Sequence, residues 1–334
     1  MAAEKIARLY ETAIAEGLHP GVSLVAGDRN VTRTRQHALF QSFGKASQHP
    51  GREHEPFTAG STIAAIASMS KLMTAVAVLK AKNAGVFQSL AADVPITLRM
   101  VLSCTSGHEY DWMSQDLAKW RALRNGIPWT SFAYSGGADW AGKAIEIVFS
   151  TTLEDFMYKH IWKLLGIESD PDMKDRVATL SPLTELGEPP AKDESNFDIL
   201  FGGTDCLGGA VIFSTATAYY TFLSAVFDRD ERLLTRSSSY TELFRPQLND
   251  QLEQSFNDYL VRFAGMICCE AQPGRFEKGT IMWGGVPCCT WFMDFEGGVR
   301  GTAICQMPPP MHPVIVGGLH AKFQGGVLDI AGGN

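Results

Sequence analysis

The 334-residue chain contains no apolar run approaching the ~18 residues that span a bilayer, so no membrane-crossing segment is expected. It also lacks a clustered Lys/Arg face. With 29 basic residues against 36 acidic ones the formal charge is −7, which argues against a nucleic-acid partner. There is no Cys-x-x-Cys and no His-Glu-x-x-His, so no zinc site is encoded and neither metal nor cofactor is expected. Cysteines are few and odd in number: seven, including the vicinal pairs Cys268-Cys269 and Cys288-Cys289. Neighbours in sequence rarely bridge, so these read as reduced, packed thiols. The first residues carry Glu4, Lys5, Arg8 and Glu11 and lack the uninterrupted apolar core of a secretory leader; a cytoplasmic location follows as the expectation. What is present is an ordinary globular mixture, 45% hydrophobic and 19% charged, in a chain long enough for a sizeable core.

Periodicity predicts a helix over 3–17 with Ile6, Leu9, Tyr10, Ala13 and Ile14 on one face, then strands over 21–26 and near 38–43. Helices are predicted over 68–84, 97–102, 138–149, 153–165 and 215–227, and strands over 279–283, 290–295 and 301–306. Strands at both ends around a helical middle predict an α+β fold: one antiparallel sheet built from both chain ends, with flanking helices and an inserted helical subdomain. A single domain is expected over 1–334, with the sheet part at about 1–60 and 255–334 and the helical part at about 61–254.

The sharpest chemical signal is Ser68-Met69-Ser70-Lys71, where a Gly/Pro/His-rich loop enters an apolar helix. Residues three apart share a helix face, so the Ser68 hydroxyl and the Lys71 amine are expected to meet in the first turn. A serine is a weak nucleophile until a base takes its proton, and a lysine serves where burial or nearby positive charge keeps part of it neutral. A second match, Ser42-Phe43-Gly44-Lys45, follows a strand and is interrupted by glycine, and is set aside. Taken alone, Ser68 and Lys71 also fit an N-capping serine and a solvated lysine.

Further along come Thr97-Leu98-Arg99-Met100-Val101-Leu102-Ser103-Cys104-Thr105-Ser106-Gly107, Tyr134-Ser135-Gly136-Gly137-Ala138-Asp139-Trp140-Ala141-Gly142, and Gly208-Gly209-Ala210-Val211-Ile212-Phe213-Ser214. The last of the set is Trp283-Gly284-Gly285-Val286-Pro287 with Trp291-Phe292-Met293-Asp294. In this order, from about 21 to 306, the chain resembles the serine β-lactamase-like superfamily (the class C β-lactamase and penicillin-binding-protein fold). Within it the likeness is greatest to fungal polyketide transesterases of the lovastatin acyltransferase type and to family VIII esterases. The resemblance implies Ser68 as nucleophile, Lys71 and Tyr134 sharing the acid and base work, and the main-chain N–H groups of Ser68 and Val286 as the oxyanion hole. It also implies Trp283, Gly284, Gly285 and Trp291 around the substrate, while Asp139 reads as a structural helix-start residue. Ser70 and His108 are possible pocket neighbours. No Lys-Thr-Gly stands at the third motif, so β-lactam or cell-wall peptide chemistry is not expected. The connections 86–95 and 108–133 are shorter than in relatives.

The expected activity is acyl transfer through an acyl-Ser68 intermediate, from a small ester or thioester donor to a hydroxyl of a small, polyketide-derived acceptor. An acyl carrier protein is a candidate donor partner. Two alternatives stand beside it: a carboxylesterase or thioesterase using the same residues with water as acceptor, and a catalytically silent binding relative.

Overall fold

In a computed structural model of the chain, the described residues are 1–29, 39–47, 51–83, 97–106, 134–169, 173–179, 206–235, 237–248, 259–263, 265–307 and 318–332. The connections 86–95 and 108–133, with His108, lie outside them.

Ile6, Tyr10 and Ala13 fall on one side of α1 (Ala2–Ala15) and are buried there; the helix ends before Gly17, which takes φ 72°. The chain then forms β1 (Gly21–Asp28), β2 (Leu39–Gly44) and the short β3 (Ala64–Ala65). A 3₁₀ turn (Ala67–Met69) leads into α2 (Ser70–Asn83), followed by α3 (Leu98–Leu102), α4 (Gly137–Phe149) and α5 (Leu153–Met157). The segment predicted as one helix over 153–165 changes character after α5, passing through a π turn (Tyr158–Trp162) and a 3₁₀ turn (Lys163–Leu165). Next come β4 (Phe213–Ser214), α6 (Ala216–Phe227) and α7 (Ser237–Phe244). Thr97 and Thr215, predicted as first helical residues, are instead caps: their hydroxyls accept from the N–H of Met100 (3.2 Å) and Ala218 (3.1 Å). The last part supplies β5 (Tyr259–Arg262), β6 (Gly265–Cys268), β7 (Ile281–Gly285), β8 (Cys289–Asp294), β9 (Val299–Cys305) and α8 (His320–Ala331).

Seven strands form one antiparallel sheet in the order β2-β1-β9-β8-β7-β6-β5, so the two ends of the chain meet where β1 pairs with β9, from Val22↔Cys305 to Asp28↔Val299. Side-chain alternation divides the core. Val22, Leu24, Ala26, Phe292, Ala303 and Cys305 point to a layer made by α1 and α8. Val25, Trp291, Met293 and Ile304 point the other way, into a larger core with α2, α4, α5 and α6. Strands buried on both faces read as near-continuous apolar runs, as β1 does. The α+β arrangement expected from the sequence is therefore what forms. Among the described residues no helix is long and apolar enough to cross a membrane.

Candidate active site

The helix α2 is buried on almost every side, from Ser70 to Leu79, so its first turn is fixed deep between the sheet and the other helices. Ser68 does not open this helix, as the sequence predicts; it stands in the preceding 3₁₀ turn. The reason is local. Ala67 is in the left-handed region at φ 44°, and the Met69 N–H reaches back to the Ile66 carbonyl at 3.1 Å. The spacing of three survives, so Ser68 and Lys71 still face one another.

That turn is held from several directions. The β3 strand pairs with β4, and the Ile66 N–H donates to the Ile212 carbonyl at 3.0 Å. Gln306 Nε2 donates to the Ala65 carbonyl at 3.0 Å, and the Tyr219 hydroxyl donates to the Met69 carbonyl at 3.2 Å. On the sheet side, a Cβ added to Gly285 would stand 2.3 Å from the Ile66 carbonyl oxygen. Only glycine lets β7 come this close to the turn.

Three side chains converge. The Tyr134 hydroxyl donates to Ser68 Oγ at 2.7 Å, and Lys71 Nζ donates to the same oxygen at 3.3 Å. Lys71 is only 5% exposed, so its amine needs partners; it also donates to the Gly209 carbonyl at 2.9 Å and lies 4.9 Å from the centre of the Tyr134 ring. Tyr134 stands just before α4 and is half-buried, like Ser68. The pair Lys71 and Tyr134 therefore brackets one serine oxygen with an amine and a phenol, which is what proton transfer to and from a nucleophile requires. The nearby thiol of Cys104 is no rival, because burial pushes it up from its ordinary value.

The Trp283 ring packs against Tyr134 with centroids 5.7 Å apart, and its Nε1 has no hydrogen-bond partner among the described residues. Among the described residues, β7 pairs with β6 at Ile281 and Met282, and its far end, at Gly285, comes up against the turn that carries Ser68. Gly284 and Gly285 lie at this end, and Val286 is the next residue, half-buried in the β7–β8 turn. Trp291, placed around the substrate by the sequence resemblance, is 0% exposed and opposite Trp283 in the β7–β8 register. Every residue of β8, Trp291 included, is buried. Ser70 is also fully buried, with Oγ unpartnered among the described residues. Asp139 lies in the first turn of α4 but does not cap it; its Oδ1 accepts the Gly209 N–H at 2.7 Å. The rejected serine, Ser42, sits on β2 bonded to Ser23, and its companion Lys45 has left the strand. The Gly209 carbonyl that holds Lys71 escaped the sequence reading, since a main-chain oxygen leaves no residue-type signature; the vicinal glycines 208–209 were its one trace.

The fold matches simvastatin synthase from Aspergillus terreus (LovD6 mutant) with a TM-score of 0.88 at 21% identity, covering 100% of this chain and 96% of that one. It matches EstCE1, a hydrolase with promiscuous acyltransferase activity, at 0.80 and 18% identity over 98% of both chains. In sequence, the chain is 24% identical over 275 residues to lovastatin esterase of Penicillium rubens, covering 69% of each. It is 26% identical over 265 residues to monacolin J acid methylbutanoyltransferase of Aspergillus terreus, covering 66% of this chain and 64% of that protein. The chain thus spans about two thirds of these two relatives. The family model described as beta-lactamase matches residues 6–313, and the chain belongs to that family.

Proposed function

We propose that the chain is a serine acyl-transfer enzyme that forms an acyl-Ser68 intermediate and passes the acyl group to a hydroxyl of a small, polyketide-derived acceptor. The observation that carries this reading is the convergence of Tyr134 at 2.7 Å and Lys71 at 3.3 Å on one serine oxygen. Ser68 Oγ attacks the donor carbonyl carbon while its proton passes to the Lys71–Tyr134 pair, and the same pair protonates the departing alcohol or thiol. The acceptor hydroxyl then attacks the acyl-Ser68 carbonyl. Its proton goes to the pair, and Ser68 Oγ takes a proton back as it leaves. The developing oxyanion lies between the main-chain N–H groups of Ser68 and Val286, a reading supported by the close approach that Gly285 allows between β7 and the turn carrying Ser68. Trp283, with Gly284 and Gly285, lines the substrate side. The acceptor class rests on the relative that is a monacolin J acid methylbutanoyltransferase; a small ester, a thioester or an acyl carrier protein is the donor. Seven free cysteines, five of them buried, support a reducing, cytoplasmic setting.

The relative that is a lovastatin esterase supports a second reading, hydrolysis by the same residues with water as acceptor. Incubation with an acyl thioester and a panel of alcohols separates the two. Transfer predicts ester formed faster than free acid, and free acid alone would establish the hydrolase. Ser68→Ala is the control: it should abolish covalent labelling by a fluorophosphonate and lower turnover at least about 10³-fold. Wild-type protein that fails to label would sink both readings.

A further inference from the structure

Lys71 is held by a main-chain carbonyl, and that carbonyl is itself held in an unusual way. The peptide unit joining Gly208 to Gly209 is gripped at both of its polar ends. Its carbonyl, on Gly208, accepts from Thr74 Oγ1 at 2.5 Å, and its N–H, on Gly209, donates to Asp139 Oδ1 at 2.7 Å. The next carbonyl along, that of Gly209, is thereby turned toward Lys71 Nζ at 2.9 Å. Thr74 lies on α2 three residues beyond Lys71, so one side of the grip belongs to the helix that carries the amine. The other side belongs to α4, whose N-terminal end follows Tyr134 directly. The fit is tight: a Cβ on Gly208 would stand 2.5 Å from the Ala138 carbonyl oxygen and 2.9 Å from the Thr74 side chain.

An acidic residue in the first turn of a helix ordinarily favours that helix through its dipole or caps it. Asp139 does not cap. The α4 N-cap is Gly136 with no side-chain bond, and the Asp139 carboxylate reaches a backbone N–H 70 residues away in sequence. Burying it has a cost: burial pushes the Asp139 carboxyl above its ordinary value, against the pull of the Gly209 N–H and of Lys71. A direct ion pair with the lysine would hold the amine in its charged form. A bond placed one residue away fixes where the amine sits while leaving its proton free to move.

We infer that Asp139 is a positioning residue: through the Gly208–Gly209 peptide, and opposite Thr74, it fixes the carbonyl that aims Lys71 at Ser68. The inference rests on the serine reading above. What Asp139 supplies is an acceptor oxygen, which asparagine also supplies.

The test is the rate of Ser68 phosphonylation by a fluorophosphonate, with kcat and KM for a p-nitrophenyl ester and a thermal melt for each variant. Asp139→Ala should slow labelling and lower kcat by about 10- to 100-fold with KM changed little, since small misplacements of a catalytic group cost this much. Asp139→Asn should recover to within a few-fold of wild type. Thr74→Val, which releases the same peptide from its other side, should fall in the same direction as Asp139→Ala and covers the case in which that variant does not fold. Labelling at the wild-type rate in Asp139→Ala would overturn the inference. So would a loss in Asp139→Asn as deep as in Asp139→Ala, because charge rather than the hydrogen bond would then be at work. Wild-type protein that does not label is a different failure: it removes the serine reading itself, and this inference with it.

Discussion

Two hydroxyl–base pairs lie on opposite faces of the same sheet. On one face the Tyr134 hydroxyl and Lys71 Nζ meet at Ser68 Oγ; on the other the Tyr10 hydroxyl meets His320 Nδ1 at 3.0 Å, and His320 Nε2 meets the Cys288 carbonyl at 2.7 Å. As bare chemistry the second pair looks the better base, since histidine titrates near neutrality and lysine does not. The environment reverses that order. Tyr10 is 0% and His320 1% exposed, with both imidazole nitrogens engaged: Nε2–H donates to the carbonyl and Nδ1 accepts from tyrosine. That imidazole has no lone pair left to take a proton, and burial brings it down to about 4. Ser68 and Tyr134, by contrast, are only half-buried. The difference teaches that burial and spare bonding capacity, more than residue type, decide which cluster is open to chemistry and which is purely structural.

The comparison breaks or sharpens under substitution. Lys71→Ala and Tyr134→Phe should each lower turnover by about 10²–10⁴-fold, the usual worth of a positioned acid or base, and leave thermal stability near that of wild type. Equal loss of activity and of folded protein would erase the contrast between the faces. Gly285→Ala should come next, at about 10²-fold in rate, because its methyl must displace the Ile66 carbonyl that precedes Ser68. A kinetic titration of that variant against wild type reads the loss directly.

On the other face, acid should act on stability rather than chemistry. His19 is 1% exposed, has neither ring nitrogen partnered among the described residues, and is brought down to about 3 by burial and by the nearby His320. Below pH 6.5 the unfolded chain protonates both histidines while the folded chain does not until about 4 and 3. Their contribution to stability is therefore intact above pH 6.5 and is lost as pH falls toward 4, at roughly 1.4 kcal/mol per pH unit for each histidine. Urea unfolding at a series of pH values checks this, and His19→Leu should remove about half of the slope. The smallest effect is Tyr10→Phe, which leaves His320 Nδ1 unpaired and should cost about 1–3 kcal/mol with kcat unchanged. A fall in kcat for that variant would join the two faces that the comparison separates.

Much of this was legible in the residues. The 3.6 periodicity of Ile6, Tyr10 and Ala13 gives α1, and the apolar runs at both ends give the strands that close the sheet. The Ser68–Lys71 spacing gives two members of the cluster, but Tyr134 comes from 66 positions away, and only the family likeness connected it. Other features were beyond local pattern. The β5 and β6 strands are four residues long and pair with each other across a short connection, too brief a pattern to stand out from residue type alone. The α7 helix opens on three serines, poor helix formers, and is held by burial of Tyr240 and Leu243. A left-handed alanine before Ser68 carries no signal at all, because alanine takes that shape only when its surroundings compel it.

Ala67 also has a bearing on redesign. A glycine there would relax the backbone, yet it would release the Ser68 hydroxyl from the orientation that its neighbours now enforce; a β-branched residue would not fit the shape at all. Anyone who wishes to retrain the enzyme toward new acyl chains should therefore treat that methyl group as fixed hardware and vary the walls of the cleft instead.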